Sequence, residues 1–190
     1  MNRKIDVSEV VLRTDRLLLR PWNSGDLSDF YEYASVDGVG QPAGWLPHKS
    51  IDESRTILKM FIEGKHALAL EYRGKVIGSI SIDEYDEAEF PEFNDSYVSE
   101  LGYQLSKDFW GQGLMPEAVN AVVEYLFETL NLDIIICSHF NDNEQSKRVQ
   151  EKCGFKHYKP IKLETRYGET KDSWASIITK PLRVLNDKNK

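Results

Sequence analysis

The segment Phe109-Trp110-Gly111-Gln112-Gly113-Leu114-Met115-Pro116-Glu117-Ala118 joins a glycine-rich turn to the start of a helix. Its pattern predicts the exit of a strand, then the turn, with Pro116 at the first helical position, where a proline N–H is not needed. The two glycines let the backbone curl tightly and present N–H groups without side-chain obstruction. The helix adds unpaired amides and the positive end of its dipole. Together these features predict an anion-binding turn.

Two common nucleotide-binding loops do not fit this turn. The dinucleotide fingerprint requires a third glycine three residues after the second, and this chain has Pro116 there. The phosphate loop of nucleoside triphosphatases ends in Gly-Lys-Ser or Gly-Lys-Thr, which is missing here. Neither a nicotinamide nor a nucleoside triphosphate is favoured as the ligand.

The elements after the turn alternate between helix and strand. Residues 116–129 carry apolar side chains at helical spacing, which predicts an amphipathic helix packed on a sheet. Residues 133–139 form a short, apolar, β-branched run that is typical of a strand buried on both faces. A second helix is predicted to begin near Asn143 and to end at Gly154 in a left-handed cap.

Four segments occur in an order and spacing that resemble one known family. They are TDRLLLR at 14–20, ELGY at 100–103, WGQG at 110–113 and N-x-x-S-x-R-V-x-E-K-x-G-F at 143–155. Over residues 12–180 the chain resembles the GNAT superfamily of acetyl-coenzyme A dependent N-acetyltransferases, in its RimJ/RimL-like branch of ribosomal-protein N-terminal acetyltransferases. The likeness does not specify the acceptor.

The resemblance implies an α/β fold in which helices cover both faces of a mixed, twisted sheet of about seven strands. In this family the fourth and fifth strands splay apart, and the coenzyme binds at the edge that opens. The acceptor pocket is expected between the two front helices and the glycine- and proline-containing loop at 38–47. The length suits a single domain, 1–190, with its core at 12–180.

The resemblance also implies which residues bind acetyl-coenzyme A. The diphosphate is expected on N–H groups of the glycine turn, and the pantetheine arm along the central strand. A backbone N–H between Leu101 and Leu105 is expected to hold the oxyanion. Asn143 is expected to fix the arm as well as to cap its helix. The predicted coenzyme-binding set is Leu101, Tyr103, Leu105, Trp110, Gly111, Gln112, Gly113, Leu114, Met115, Asn143 and Ser146.

Two proton transfers call for catalytic groups. An amine must lose a proton before it attacks a thioester, so a general base is expected. Glu100 stands where several superfamily members carry a catalytic glutamate, and the alternatives are Glu164 or a water molecule. The leaving thiolate often meets a tyrosine in this superfamily, but that position is Gln150 here. The branch pattern offers Ser146 as the hydrogen-bond partner of the sulfur, unless it is a serine that merely faces solvent.

Composition narrows the function further. The net charge of −7 argues against a strongly basic face for nucleic acid, whereas an acidic cleft would attract a basic peptide or polyamine. The carboxylates between Asp83 and Asp95 form either a solvated loop or an acidic rim that selects cationic acceptors. The four histidines and two cysteines lack metal-ligand spacing, so no metal is expected.

Location and mode of transfer follow from the same residues. The N-terminus Met1–Asp6 has no apolar targeting region, and no apolar run is long enough to cross a membrane, so we expect a cytoplasmic protein. Cys137 falls in a predicted core strand and Cys153 at a helix end, which favours direct transfer over a covalent enzyme. A monomer and a homodimer both remain open.

The acceptor is predicted to be a primary amine, most simply a protein or peptide N-terminus such as that of a ribosomal protein. Two alternatives stay open at this point. One is acetylation of a small amine, either a polyamine or an antibiotic. The other is a noncatalytic acyl-coenzyme A binding or sensor domain, suggested by Gln150 in place of the usual tyrosine.

Overall fold

One open sheet organises the fold. In the computed structural model, which describes residues 2 and 4–181, eight strands lie in the order β1-β2-β3-β4-β5-β6-β8-β7. The strands are β1 Leu12–Arg13, β2 Leu17–Pro21, β3 Ala67–Tyr72, β4 Lys75–Asp83, β5 Val98–Leu105, β6 Ile134–Phe140, β7 Lys156–Glu164 and β8 Thr170–Thr179. The helices are α1 Leu27–Ala34, α2 Ile51–Gly64, α3 Leu114–Glu128 and α4 Glu144–Lys152.

The predicted α/β fold with a mixed sheet and helices on both faces is confirmed. The sheet has one strand more than the seven expected, because β1 contributes only two residues, Leu12–Arg13, which are too few to show an alternating pattern. Met1, Arg3 and residues 182–190, which belong to the predicted 1–190 domain, lie outside the described residues. None of the helices within the described ranges could span a membrane.

The only parallel pair in the described part of the sheet is β5 with β6. Residues Val98–Leu101 of β5 pair with residues Ile134–Cys137 of β6. The pairing ends there, although β5 continues to Leu105 and β6 to Phe140. The other side of β5 stays bonded to β4 through to the pair Leu105 and Gly78. The sheet therefore splays at the carboxyl ends of these two strands, which are the fourth and fifth when the two-residue β1 is not counted, the pair for which the resemblance implied a splay.

Separate cores cover the two faces of the sheet. On one face α3 and α4 pack over the strands, with Leu101, Leu126 and Ile135 fully or almost fully buried. On the other face α1 and α2 enclose an aromatic core that includes Trp22 and Phe30. Burial of these apolar side chains supplies the main driving force for holding the helices against the sheet.

The start of α3 differs from the sequence prediction. The helix begins at Leu114 with Gly113 as its N-cap, so Pro116 is the third helical residue and not the first. Proline fits there because the first four N–H groups of a helix have no intrahelical partner. The turn also does not follow the strand directly, since a short 3-10 turn, Lys107–Phe109, comes between β5 and the glycines.

A buried ionic cluster fixes β2 against the start of α1. Arg20 on β2 donates from Nη2 to Asp26 Oδ1 at 2.8 Å and from Nε to Glu71 Oε2 at 2.8 Å. Asp26 is only 6% exposed and also accepts a hydrogen bond from the Asn23 N–H. Removal of one partner from such a cluster leaves an uncompensated buried charge.

Asp26→Ala is expected to lower the free energy of unfolding by about 3 kcal/mol, because Arg20 would keep its charge without its main partner. Urea unfolding measures this loss. Asp172→Ala is the matched control, since Asp172 pairs with Lys162 on the exposed edge, and it should cost much less. Equal losses in the two variants would contradict the assignment of a structural role to the buried cluster.

Candidate functional site

A cavity of about 550 Å³ opens where β5 and β6 part. It brings together most of the residues selected from the sequence, which come from the central strand, the glycine turn, the start of α3 and the start of α4. Those that line it are Glu100, Leu101, Tyr103, Leu105, Trp110, Gly111, Gly113, Leu114, Met115, Asn143 and Ser146.

Two selected residues lie elsewhere. Gln112 is exposed and is not among the lining residues; its side chain donates from Nε2 to the Asp108 carbonyl at 3.1 Å. Glu164 is exposed at the end of β7 and is also not among them, although its neighbour Leu163 is. The geometry therefore favours Glu100 over Glu164 as the carboxylate that faces the cavity.

The glycine turn has the geometry of an anion-binding loop. Gly111 and Gly113 have φ angles of 76° and 75°, a region that side-chain-bearing residues adopt only with strain. The turn leads into the N-terminus of α3, whose first N–H groups have no intrahelical partner. The positive end of the α3 dipole and the unpaired N–H groups therefore lie at the same end of the cavity.

The turn is held in place from β1 and β2. Arg16, between these strands, donates from Nη1 to the Gln112 carbonyl at 2.9 Å and from Nε to Glu117 Oε2 at 2.6 Å. Thr14 Oγ1 donates to the other oxygen of Glu117 at 2.5 Å. On the opposite side, Trp110 Nε1 donates to the Leu105 carbonyl at 2.8 Å. These bonds fix the turn before any ligand arrives.

Two cations on α4 also border this cavity. Arg148 and Lys152 are exposed, are four residues apart and so share a helix face, and both line the cavity. The end of α4 reaches the start of α3, since Cys153 Sγ lies 3.6 Å from the Pro116 carbonyl oxygen. These cations, which the sequence prediction did not select, add positive charge beside the anion-binding turn.

A carboxylate pair marks the opposite side of the central strand. Glu100 is half-buried, accepts a hydrogen bond from Ser138 Oγ at 2.8 Å, and lies opposite Asp83 in the register of β4 and β5. Asp83 accepts from Ser81 Oγ at 2.6 Å and lies 3.6 Å from His66 Nε2. Burial raises the pKa of Glu100. The Ser138 hydrogen bond lowers that pKa in part, and the negative charges of Asp83 and Asp86 raise it further.

The start of α4 forms the wall on the other face of the strand. Asn143 caps the helix, because its Oδ1 accepts from the Ser146 N–H at 3.0 Å, and its Nδ2 donates to the Pro42 carbonyl at 3.1 Å. Asn143 therefore ties α4 to the loop at 38–47. One acceptor and one donor position of its amide remain for a ligand.

The side chain of Tyr103 is a feature that the sequence prediction missed, since only its backbone was considered. Its hydroxyl lies 2.9 Å from Ser146 Oγ and 3.2 Å from the Ser146 carbonyl oxygen. The alternation of side chains along a strand places Tyr103 on the face opposite Glu100. That parity was readable from the segment ELGY and could have placed the hydroxyl on the α4 side.

A smaller cavity of about 220 Å³ adjoins the first on the α1 and α2 side. The two share Asp83, Gly102 and Gln104 in their walls. The smaller one has aromatic walls that include Trp45 and Phe61, with the exposed cation Arg166 in its lining. Its lining includes residues of α1, α2 and the loop at 38–47 that connects them, the segments from which an acceptor pocket is expected.

Comparison with known proteins identifies the family. The model of the acetyltransferase (GNAT) domain matches residues 16–156. The chain belongs to the GNAT acetyltransferase family. It is thus an acetyl-transferring enzyme, and the family uses acetyl-coenzyme A. No group of three or more His, Cys, Asp or Glu side chains in the described part of this GNAT protein is placed to hold a metal ion.

Individual relatives agree with this assignment. The uncharacterized N-acetyltransferase YoaA of Bacillus subtilis is 29% identical over 156 residues, which is 76% of this chain and 82% of YoaA. The structure of RimL, a ribosomal L7/L12 alpha-N-protein acetyltransferase, superposes with a TM-score of 0.73 at 16% identity, covering 90% of this chain and 94% of RimL. The structure of the microcin C7 self immunity acetyltransferase MccE in complex with acetyl-CoA and AMP superposes with a TM-score of 0.73 at 19% identity. The superposition covers 87% of this chain and 93% of MccE.

Gly111→Ala is expected to weaken acetyl-coenzyme A binding about tenfold, or ~1.4 kcal/mol. A Cβ at Gly111 meets no protein atom within 4 Å, so only an approaching ligand would be obstructed. Gly74→Ala is the matched control, because Gly74 has a similar φ of 79° and equally open surroundings but lies in the β3–β4 hairpin. Calorimetry should show a loss of affinity in the first variant alone; equal affinities would rule out the turn as the diphosphate cradle.

Proposed function

We propose that this enzyme transfers the acetyl group of acetyl-coenzyme A directly to a primary amine, at a protein or peptide N-terminus. The observation that carries the proposal is the cavity at the β5–β6 splay, which joins an anion-binding turn at one end to the carboxylates Glu100 and Asp83 at the other. An anionic coenzyme and a cationic amine would thus meet at the central strand. The single domain spans 1–190, with its core at 12–180.

The turn and the strand would bind the coenzyme. The N–H groups of Trp110–Met115 would take the diphosphate, and the edge of β5 from Leu101 to Leu105 would pair with the amides of the pantetheine arm. In the described sheet the pairing with β6 ends at Leu101, and the Leu105 carbonyl accepts from Trp110 Nε1, so the other backbone groups on the β6 side of this segment are available. One of its N–H groups would also stabilise the oxyanion. Bound acetyl-coenzyme A supplies the activated thioester.

Glu100 would act as the general base. Its raised pKa makes it a stronger base than an ordinary glutamate, while the neighbouring carboxylates attract the ammonium form of the acceptor. The nitrogen loses two protons as the N–C bond forms and the C–S bond breaks. One goes to Glu100 and the other ends on the departing sulfur, which Ser146 would hydrogen-bond.

Direct transfer is supported by the state of the two cysteines. Cys137 and Cys153 are both free and buried. Burial raises the pKa of the Cys137 thiol and raises that of Cys153 to about 11, so neither forms a reactive thiolate near neutral pH. Free thiols also fit the proposed cytoplasmic location, where disulfides are rare.

Two observations support a polypeptide N-terminus as the acceptor. RimL acts on a ribosomal protein by its name, and this chain shares its fold. The smaller cavity, at about 220 Å³, is below the range of pockets that enclose a whole drug-sized molecule. It suits a single terminal residue whose chain continues outside the protein. A polyamine or antibiotic acceptor is the alternative.

The acceptor is tested by incubating the enzyme and acetyl-coenzyme A with peptide pools and following thiol release. Peptides with free N-termini are expected to release thiol, and the same peptides with blocked N-termini are not. Spermidine and an aminoglycoside form the comparison set. Thiol release with these small amines alone would contradict a polypeptide acceptor.

Glu100→Gln is expected to lower the turnover rate about 10²-fold, because the variant keeps the shape of the side chain but cannot take a proton. Asp83→Asn should keep turnover at saturating acceptor, because Glu100 is retained, but move the acidic limb of the rate profile to lower pH. It removes a negative charge that raises the pKa of Glu100, so the base would be ionised at lower pH. Turnover measured across pH with a responsive acceptor shows both effects.

Glu164→Gln is the control for this assignment, because Glu164 is exposed and does not line the cavity. It should leave turnover and the pH profile unchanged. Near-normal turnover in Glu100→Gln together with a large loss in Glu164→Gln would transfer the role of base to Glu164. Near-normal turnover in both variants would assign it to water.

A further inference from the structure

The hydroxyl of Ser146 lies in a polar network that surrounds it on the protein side. Tyr103 approaches from β5 at 2.9 Å, and Gln150 Nε2 approaches from the next turn of α4 at 3.3 Å. Ser146 also lines the large cavity, so one direction around its oxygen stays open. The network decides where the hydroxyl proton can point.

Gln150 is held in one orientation by β6. Its Oε1 lies 3.1 Å from His139 Nδ1, and its Nε2 lies 3.3 Å from Cys137 Sγ. An amide oxygen only accepts hydrogen bonds, so His139 Nδ1 carries the proton, and the amide nitrogen only donates. The Gln150 amide group therefore donates to Ser146 Oγ and occupies one of the two acceptor positions of that oxygen.

Tyr103 controls the second acceptor position of Ser146 Oγ. If the tyrosine hydroxyl donates to Ser146 Oγ, both acceptor positions are filled, and the serine proton must point into the cavity. If the serine donates to Tyr103 instead, the tyrosine proton turns to the Ser146 carbonyl oxygen at 3.2 Å, and no proton faces the cavity. A rotation of two hydroxyl groups converts one arrangement into the other without net proton transfer.

We propose that Tyr103 and Gln150 are positioning residues that direct the Ser146 hydroxyl proton to the coenzyme sulfur as negative charge develops there. The inference rests on the proposed function, since it requires the sulfur beside Ser146. It explains how the site works with Gln150 where other members of the family carry a tyrosine: the tyrosine hydroxyl comes from β5 and acts through the serine.

The surroundings favour this arrangement electrostatically. Ser146 is the third residue of α4, so the sulfur would lie near the positive end of the helix dipole. Burial raises the pKa of Tyr103 well above its usual value, so its hydroxyl stays protonated and remains a donor. Burial lowers the pKa of His139, which keeps that ring neutral near neutral pH.

The test measures the pKa of the thiol of bound coenzyme A, which requires no acceptor. Thiolate absorbance is followed as pH rises, with the protein alone subtracted. Ser146→Ala and Tyr103→Phe are each expected to raise the bound thiol pKa by about 0.5 to 1 relative to the unaltered enzyme, because both remove the hydrogen bond to the thiolate. Gln150→Met should raise it less, since Tyr103 still donates to the serine.

Control variants separate the positioning effect on the bound thiol from general effects of removing a tyrosine hydroxyl and from the absorbance of the protein's own thiolates. Tyr125→Phe removes a tyrosine hydroxyl on α3 that does not line the cavity, and it should leave the bound thiol pKa unchanged. The ionisable groups around the network include Cys137 and His139 on β6, His157 on β7, Glu100 on β5, and Glu144, Lys147, Arg148 and Lys152 on α4. All are retained in every variant, and the raised pKa values of the two protein cysteines keep their thiolate background small.

The outcomes distinguish the inference from the function on which it rests. A raised thiol pKa in Ser146→Ala with no change in Tyr103→Phe would overturn the positioning role of the tyrosine. If both variants bind coenzyme A normally by calorimetry and neither changes the pKa of the bound thiol, the whole inference is overturned and the acetyltransferase proposal stays intact. Failure of the unaltered enzyme to bind coenzyme A would overturn the proposed function together with the inference.

Discussion

The end of pairing between β5 and β6 is the constraint on which the site depends. Each strand is bonded on its far side to an antiparallel neighbour along its length, β5 to β4 as far as Leu105 and β6 to β8 as far as Phe140. Neither strand can therefore move across to close the gap between them. The opening is a consequence of sheet topology, and it leaves a stretch of backbone with free hydrogen-bonding capacity inside an otherwise complete sheet.

A single strand then separates the two groups that are proposed to handle protons. Side chains alternate between the faces of a strand, so Glu100 and Tyr103 lie on opposite sides of β5 although only three residues separate them. Glu100 faces the carboxylates of Asp83 and Asp86, whose negative charges add to the effect of burial in raising its pKa and would attract a cation. Tyr103 faces the N-terminus of α4, where hydroxyl and amide groups predominate. A base and a hydrogen-bond donor can thus work at one reaction centre without neutralising each other.

The sequence predicted the parts of this site that local rules control. The glycine turn, the cap at Asn143 and the buried strand after α3 each follow from residue types at fixed spacing, and each lies close to its predicted position. Position 116 was placed wrongly because proline is accepted throughout the first helical turn, so it marks the start only approximately. The strand β1 was not predicted, because a strand of two residues is too short to show an alternating pattern.

What the sequence did not reveal depends on contacts between distant segments. Gln150 looked like the loss of a catalytic group, because nothing in the helix sequence shows that a tyrosine from β5 reaches Ser146. Arg16 looked like part of a strand motif, while its contacts with Gln112 and Glu117 place it against the glycine turn and the start of α3. Pairings of this kind are set by the register of the sheet and the packing of α3 and α4, which no local pattern encodes.

The replacement of a tyrosine by Gln150 has a physical rationale in the buried network around it. A glutamine amide can accept from His139 and donate two hydrogen bonds, to Ser146 and to Cys137, whereas a tyrosine hydroxyl has a single proton to give. Every polar atom of this side chain thereby has a partner, which removes the penalty of burying it. In the proposed mechanism the donor to the sulfur is then a serine hydroxyl that Tyr103 and Gln150 direct from two sides, and the network carries no charge of its own that would oppose a developing thiolate.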